Sequence, residues 1–100
     1  MSGTSADGVD AALVEVDPGA FTVGRPFLGL LGHAASHYPA PLREAVLAAA
    51  GGRLDPAGLC ILQRRLGNHH ATAARALCAG LGLTPDLAAL HGQTVQHHPA

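Results

Sequence analysis

The sequence predicts an α/β or α+β fold, in which short strands form a layer against two helices. Three features predict it: a β-leaning run near the N-terminus, two segments of strong helix formers bounded by proline and glycine, and a late apolar run that leads into a polar cluster. Strands, helices and a further strand in this order are typical of layered domains. The 100 residues suffice for one small domain.

The strands are expected in the first third of the chain. Residues 11–16, Ala-Ala-Leu-Val-Glu-Val, are β-leaning, and Asp17-Pro18-Gly19 closes this first strand. Residues 21–23 and 27–32 supply a second β-leaning region, interrupted by Gly24-Arg25-Pro26. We therefore expect a small antiparallel meander.

Two helices are predicted in the middle of the chain. Residues 42–50 are good helix formers and stop at Gly51-Gly52. The longest helix is expected over about residues 55–81, since Asp55-Pro56 supplies an N-cap and an N1 proline, and Gly80 and Gly82 end it.

Composition excludes several classes of protein. Hydrophobic residues make up 48% of the chain but aromatic residues only 3%, so the core is expected to be light and built from Leu, Val and Ala. The net charge of -1 gives no attraction to nucleic acid or to an anionic membrane. No apolar run approaches a membrane span and no secretory signal pattern opens the chain, so a cytoplasmic protein is expected.

The cysteines and histidines show no recognisable disulfide or metal pattern. Cys60 and Cys78 fall in one predicted helix, roughly 27 Å apart at about 1.5 Å per residue, whereas a disulfide needs Cα atoms within about 7 Å. The seven histidines contain no His-Glu-x-x-His motif. An ion shared by His91 and His97 is the one histidine arrangement that stays open.

The first ten residues have the composition of a phosphate-binding turn. Gly3 and Gly8 allow close backbone approach and positive φ, and neighbouring hydroxyls can donate hydrogen bonds. Asp7 and Asp10 suit Mg²⁺, which accompanies nucleotide phosphates and prefers one or two carboxylates plus water. The same residue types fill exposed turns, Asp7-Gly8 is itself a hairpin signal, and no Walker motif is present. The residues alone leave a phosphate loop and an ordinary hairpin tip both open.

A second polar cluster, His91-Gly92-Gln93-Thr94, follows the apolar residues 87–90, which are expected to form a buried strand. Ligands gather at strand ends in open α/β sheets. An imidazole, a carboxamide, a hydroxyl and a glycine suit a neutral polyhydroxylated ligand. A strand-end turn whose polar groups are satisfied locally is an equally good interpretation of these residues.

Together the two clusters resemble a known family of sugar kinases. Residues 1–14, Met-Ser-Gly-Thr-Ser-Ala-Asp-Gly-Val-Asp-Ala-Ala-Leu-Val, and residues 91–99, His-Gly-Gln-Thr-Val-Gln-His-His-Pro, resemble anhydro-N-acetylmuramic acid kinases. The spacing of about ninety residues between them and the Leu-Gly-Asn-His in the long helix are also similar. The resemblance spans the whole chain but only about the first quarter to third of such an enzyme.

The resemblance implies the N-terminal part of a lobe of the acetate and sugar kinase, Hsp70 and actin type, which is ribonuclease H-like, with a β-hairpin, short strands and two helices. Residues 1–100 would be an incomplete N-terminal lobe of a two-lobed sugar kinase, with no second domain. The implied reaction uses ATP and Mg²⁺ to open the 1,6-anhydro ring of anhydro-N-acetylmuramic acid with water and to phosphorylate O6, giving N-acetylmuramic acid 6-phosphate in peptidoglycan recycling. The implied partner is a small amino sugar, and a homodimer is left open.

Site residues follow from the resemblance position by position. The implied ATP loop consists of eight consecutive residues: Gly3, Thr4, Ser5, Ala6, Asp7, Gly8, Val9 and Asp10. Within it, Asp7 and Asp10 are the candidate Mg²⁺ ligands, through water. His91, Gln93 and Thr94 are placed near the sugar.

The chain also departs from the family pattern. Ala6 stands where the family usually has a bulkier apolar residue, and Gln96 where it often has an aromatic one. The general base, a second phosphate loop and the adenosine site are expected beyond Ala100, so no catalytic residue is expected in this chain, which alone should be inactive. Two alternatives stay open: a non-catalytic folding unit or binding module, and a different sugar kinase of the same superfamily, against which the His91 cluster argues.

Overall fold

The computed structural model describes residues 7–25 and 28–93 of the chain. These residues form the strands and helices β1 (Gly8–Val16), α1 (Pro18–Thr22), β2 (Leu28–His37), α2 (Ala40–Ala50) and α3 (Pro56–Leu81). The two strands pair as an antiparallel hairpin. Helix α3 packs against both strands, and α2 packs against α3. A small α/β arrangement is therefore confirmed, with one hairpin and two main helices.

Strand β1 begins three residues earlier than expected. Gly8 pairs with His37 in the ladder and does not have a positive φ, so the prediction of a hairpin turn at Asp7-Gly8 is wrong. The register shifts between Leu13, which lies opposite Gly32, and Val14, which lies opposite Leu30. The extra residue on β2 forms a bulge, which bends the strand and increases its twist.

The two faces of the hairpin have different environments. Side chains alternate between faces along a strand, and Val9 is buried in the core while the next residue, Asp10, is exposed. Ser36, the partner of Val9 in the ladder, lies on the same face and reaches α3. The hairpin therefore carries Asp10 on the face directed away from the helices.

The strand predicted at residues 21–23 is wrong, because this segment belongs to α1 and the turn that follows it. Asp17 Oδ1 accepts hydrogen bonds from the backbone N–H groups of Gly19 at 3.0 Å and Ala20 at 3.3 Å. Pro18 supplies the fixed φ that suits a first helical residue. Local capping at the end of β1 therefore outweighs the β-leaning residues that follow, and the expected meander is reduced to a two-stranded hairpin.

Both main helices are confirmed, although α2 begins at Ala40, two residues earlier than predicted. Helix α2 stops at Gly51, and Gly52 follows with a φ of 70°. Helix α3 starts after the N-cap Asp55. At its other end, Gly82 has a φ of 67° and donates to the Ala79 carbonyl, while Leu83 donates to the Cys78 carbonyl. This pair of bonds is a Schellman motif, which satisfies the last carbonyl groups of the helix.

Replacing Asp55 by alanine is expected to lower the free energy of unfolding by about 1 kcal/mol. The carboxylate accepts from the Gly58 N–H at 2.7 Å, and alanine leaves that donor without its cap. Asparagine caps about as well as aspartate, so Asp55→Asn is the matched control and should keep nearly all of the stability. Urea denaturation followed by circular dichroism measures both variants, and an equal loss in the two would show that the cap contributes nothing.

The core is small and lies between the hairpin and the two helices. Its buried members are Val9, Tyr38, Leu42, Val46 and Leu62. Several large apolar side chains stay outside it, among them Leu28 and Leu30 of β2 at 60% and 69% exposed. Within the described residues the core is therefore small, and its buried aliphatic members are Leu and Val.

The late strand predicted at residues 87–90 is wrong. The segment has no regular secondary structure, and Leu87 and Leu90 are 88% and 66% exposed.

Cys60 and Cys78 both lie in α3 as predicted, and both are free thiols. Among the described residues, no helix has the length and apolar character that crossing a membrane requires.

Candidate functional site

Tyr38, the residue that follows β2, joins the two polar clusters of the sequence. Its backbone N–H donates to the carbonyl oxygen of Asp7 at 3.1 Å, and its hydroxyl donates to Gln93 Oε1 at 2.9 Å. Its ring is buried, with 5% of the residue exposed. One tyrosine therefore makes hydrogen bonds to both clusters, which are far apart in the sequence.

The Tyr38 ring is supported by His69 of α3. The two rings meet edge to face, with centroids 5.2 Å apart and an interplanar angle of 69°, a favourable geometry for aromatic pairs. His69 Nε2 lies 3.3 Å from Ser36 Oγ on β2. Helix α3 and strand β2 thus fix the position of the tyrosine together.

Of the predicted phosphate loop, the structure describes residues 7–10, and residues 3–6 lie outside the described residues. Asp7 is exposed and is tied to Tyr38 through its carbonyl group. Gly8 allows a very close approach, because an added Cβ would lie against the Ser36 carbonyl oxygen and 2.8 Å from the Cα of His37. Val9 is 6% exposed, so its side chain anchors the loop in the core.

Asp10 lies on the open face of the hairpin beside His33. Asp10 Oδ1 is 3.6 Å from His33 Nε2, and the side chains are 67% and 53% exposed. A contact this exposed contributes little to stability. The carboxylates of Asp7 and Asp10 are both exposed, and they are hard oxygen donors of the type that Mg²⁺ takes through its water shell. The chemistry of these two side chains therefore fits a hydrated magnesium ion.

The second cluster, residues 91–94, does not follow a strand, and its described part contacts Tyr38 through Gln93. His91 is exposed and Gln93 is half-buried, without regular secondary structure around them, and Thr94 lies outside the described residues. Among the described residues, a Cβ added at Gly92 would meet no atom within 4 Å. The hydrogen bond from Tyr38 therefore ties Gln93 to the end of β2.

The histidines of α3 serve the fold. The neighbours His69 and His70 reach different partners: His69 reaches Ser36, whereas His70 Nδ1 donates to the Leu66 carbonyl at 2.6 Å. Within residues 7–25 and 28–93, no three His, Cys, Asp or Glu side chains group closely enough to hold a metal ion.

Sequence reasoning missed Tyr38, Ser36 and His69. One signal was available for Tyr38, which is the single tyrosine of the chain: a buried tyrosine needs a partner for its hydroxyl. Nothing in the local pattern indicates that this partner is Gln93, because the contact depends on how the helices return the chain to the hairpin.

Comparisons with known proteins cover the whole chain. The family model for anhydro-N-acetylmuramic acid kinase matches residues 1–100. Anhydro-N-acetylmuramic acid kinases of Picosynechococcus sp., Acidithiobacillus ferrooxidans and Neisseria meningitidis serogroup B are 42%, 43% and 41% identical to it, each over 99% of the chain. The chain spans only about a quarter of their length, at 25%, 23% and 26%. No solved structure shows significant similarity to it.

These matches confirm the resemblance drawn from residues 1–14 and 91–99, since the family model extends over both motifs and over everything between them. The relatives that match at about 40% identity also carry the name of one enzyme. The chain therefore belongs to the anhydro-N-acetylmuramic acid kinase family.

Proposed function

We propose that this chain supplies the nucleotide loop and part of the sugar site of a kinase that acts on 1,6-anhydro-N-acetylmuramic acid. In the proposed reaction, water opens the anhydro ring while O6 receives the γ-phosphoryl group of ATP, which gives N-acetylmuramic acid 6-phosphate for peptidoglycan recycling. The observation that carries the proposal is the meeting of the two family motifs at Tyr38. Kinases need their phosphoryl donor and acceptor close together, since positioning accounts for much of the catalysis.

The phosphate end of the proposed site is the loop that leads into β1. Residues 3–10 would surround the ATP phosphates, with Asp7 and Asp10 holding Mg²⁺ through water. When bound, the ion neutralises charge on the phosphates. The exposure of both carboxylates supports this role, as does the anchoring of Val9 in the core, which fixes the direction of the loop.

The sugar end of the proposed site is the segment with His91, Gln93 and Thr94. A carboxamide both donates and accepts hydrogen bonds, and an imidazole adds a further polar group, so His91 and Gln93 suit the hydroxyl and amide groups of an amino sugar. The absence of described atoms within 4 Å of a Cβ added at Gly92 supports close approach of a ligand to this backbone.

We further propose that residues 1–100 are an incomplete N-terminal lobe of a two-lobed kinase of the acetate and sugar kinase, Hsp70 and actin type. The described hairpin and helices are compatible with part of such a lobe. We assign the general base to none of these residues. The chain by itself is therefore proposed to bind substrates without turning them over.

Isothermal titration with magnesium-ATP tests the nucleotide loop directly. We expect saturable binding to the chain, and we expect Asp7→Ala to weaken it roughly ten- to a hundredfold, because a charged hydrogen-bonding group is lost. Asp86→Ala is the matched control, since it removes the same charge from an exposed aspartate outside the proposed site. Its affinity should equal that of the unchanged chain.

Two results would count against the nucleotide loop. Equal affinities of the Asp7→Ala and Asp86→Ala variants would show that Asp7 is not part of the site. Absence of binding together with concentration-dependent self-association in ultracentrifugation would favour the non-catalytic module instead, for which the exposed apolar residues of β2 would provide a surface.

A further inference from the structure

The hydroxyl of Tyr38 holds the oxygen end of the Gln93 side chain. A carboxamide presents an acceptor oxygen at one end and a donor nitrogen at the other. Because the Tyr38 hydroxyl donates to Oε1 at 2.9 Å, the oxygen end of Gln93 is fixed and the nitrogen end is fixed with it. Residues 91–93 have no regular secondary structure, so contacts such as this one orient the segment in place of a backbone ladder.

The Tyr38 hydroxyl is itself held rigidly. The ring is buried in the core cluster with Val9 and Leu42. It also makes an edge-to-face contact with His69, a residue of α3. Ser36 lies within hydrogen-bond distance of His69 and joins this helix to β2. Helix α3 and strand β2 therefore hold the ring, and the hydroxyl of the ring in turn holds Gln93.

We propose that Tyr38 is a positioning residue for the sugar, which acts through Gln93 while His69 holds its ring. The proposal rests on the proposed function in one respect, that Gln93 contacts the sugar. Tyr38→Phe keeps the buried ring and the backbone bond to Asp7 but removes the hydroxyl. Gln93 then loses the hydrogen bond at its oxygen end, whereas the nucleotide loop keeps its support.

The first test measures the contact in the chain itself by ¹⁵N NMR. In Tyr38→Phe we expect the Gln93 side-chain amide signals to shift, because the hydrogen bond to Oε1 is lost, while the spectrum of the helices is retained. Thr22→Val is the matched control, because it removes a hydroxyl that donates to the Gly19 carbonyl at 2.9 Å in α1. Unchanged Gln93 signals in Tyr38→Phe would overturn the proposal.

The second test measures substrate use in a chimaera, in which residues 1–100 replace the matching segment of the Picosynechococcus kinase. We expect Tyr38→Phe to raise the KM for the anhydro sugar about three- to tenfold, the range expected for one lost hydrogen bond, with the KM for ATP unchanged. Gln93→Ala should raise the same KM, and Tyr38→Phe should add nothing in that background. Such non-additivity is the signature of a residue that acts through another.

The outcomes separate the positioning role from a structural role and from failure of the proposed function. Equal rises in both KM values, or additive effects of Tyr38→Phe and Gln93→Ala, would overturn the positioning role. A chimaera that is inactive without any substitution would contradict the proposed function, and with it the sugar as the ligand of Gln93. The NMR result on the contact between Tyr38 and Gln93 would stand independently of that outcome.

Discussion

Replacing Leu62 by alanine is expected to lower the free energy of unfolding by about 2–5 kcal/mol. Leu62 is 3% exposed and contributes the α3 side of the core cluster, which it shares with Val9 of the hairpin and Val46 of α2. The cavity that alanine leaves has few large neighbours to fill it, since aromatic residues make up only 3% of the chain. Domains of about this size are stable by only about 5–15 kcal/mol, so the loss is a large fraction of the total.

Urea denaturation followed by circular dichroism measures this loss. Leu59→Ala is the matched control on the same helix, because Leu59 is 43% exposed and its truncation should cost about 1 kcal/mol at most. If both substitutions cost the same, Leu62 does not hold the helices to the hairpin. Both replace leucine by alanine in a helix, so helix propensity differs little between the variants.

Replacing Gly8 by alanine is expected to destabilise the chain by about 1–3 kcal/mol, the usual range for overpacking, and to weaken magnesium-ATP binding. The added Cβ would lie against the carbonyl oxygen of Ser36 and 2.8 Å from the Cα of His37. Both obstacles are backbone atoms, so the strands must separate locally. That separation would also displace Asp7 from Tyr38, whose backbone bond lies at the same end of the hairpin.

Gly29→Ala provides the control for this prediction. Gly29 lies at the other end of the same hairpin, opposite Glu15, and an added Cβ there meets no atom of the described residues within 4 Å. We expect a change in unfolding free energy within about 0.5 kcal/mol and unchanged nucleotide affinity. Calorimetry and urea denaturation on both variants decide the matter: equal effects at the two glycines would show that the close approach at Gly8 is unimportant.

The helices are predictable because their signals are local. Asp55-Pro56 and Gly82 mark the two ends of α3 through a side-chain cap and a left-handed residue, and both operate within a single turn of helix. The same chemistry explains one error. Asp17-Pro18 repeats the capping pair of α3, and it begins α1 as well as ending the strand that precedes it.

The prediction of a late strand is wrong for a different reason. Residues 87–90 are apolar enough for a buried strand, but a strand also needs a neighbour that accepts and donates backbone hydrogen bonds. In the described part of the chain these residues have no such pairing and their leucines are exposed. Composition indicates that a segment can be buried, whereas pairing depends on residues that are distant in the sequence.

The candidate site is predictable in its parts but not in its assembly. The motif residues Asp7, Asp10, His91 and Gln93 can be identified from the sequence because the family pattern is local. That Tyr38 bonds to both motifs cannot be identified in this way, since the geometry arises from the packing of α3 on the hairpin. The assignments of these residues to ATP, Mg²⁺ and sugar are proposals, which the binding and kinetic experiments test.

The bond between Tyr38 and Gln93 also has a consequence for the order of folding. It closes a segment of 55 residues that contains both main helices. Helices form from contacts between near neighbours in the sequence. Closing a long loop costs more chain entropy, and this cost comes before the contact that closes the loop can stabilise it. We therefore expect the segment around Gln93 to dock last and to open first. A ligand that requires the docked segment would bind only the completely folded chain. Its binding would therefore measure the fraction of chains that are completely folded.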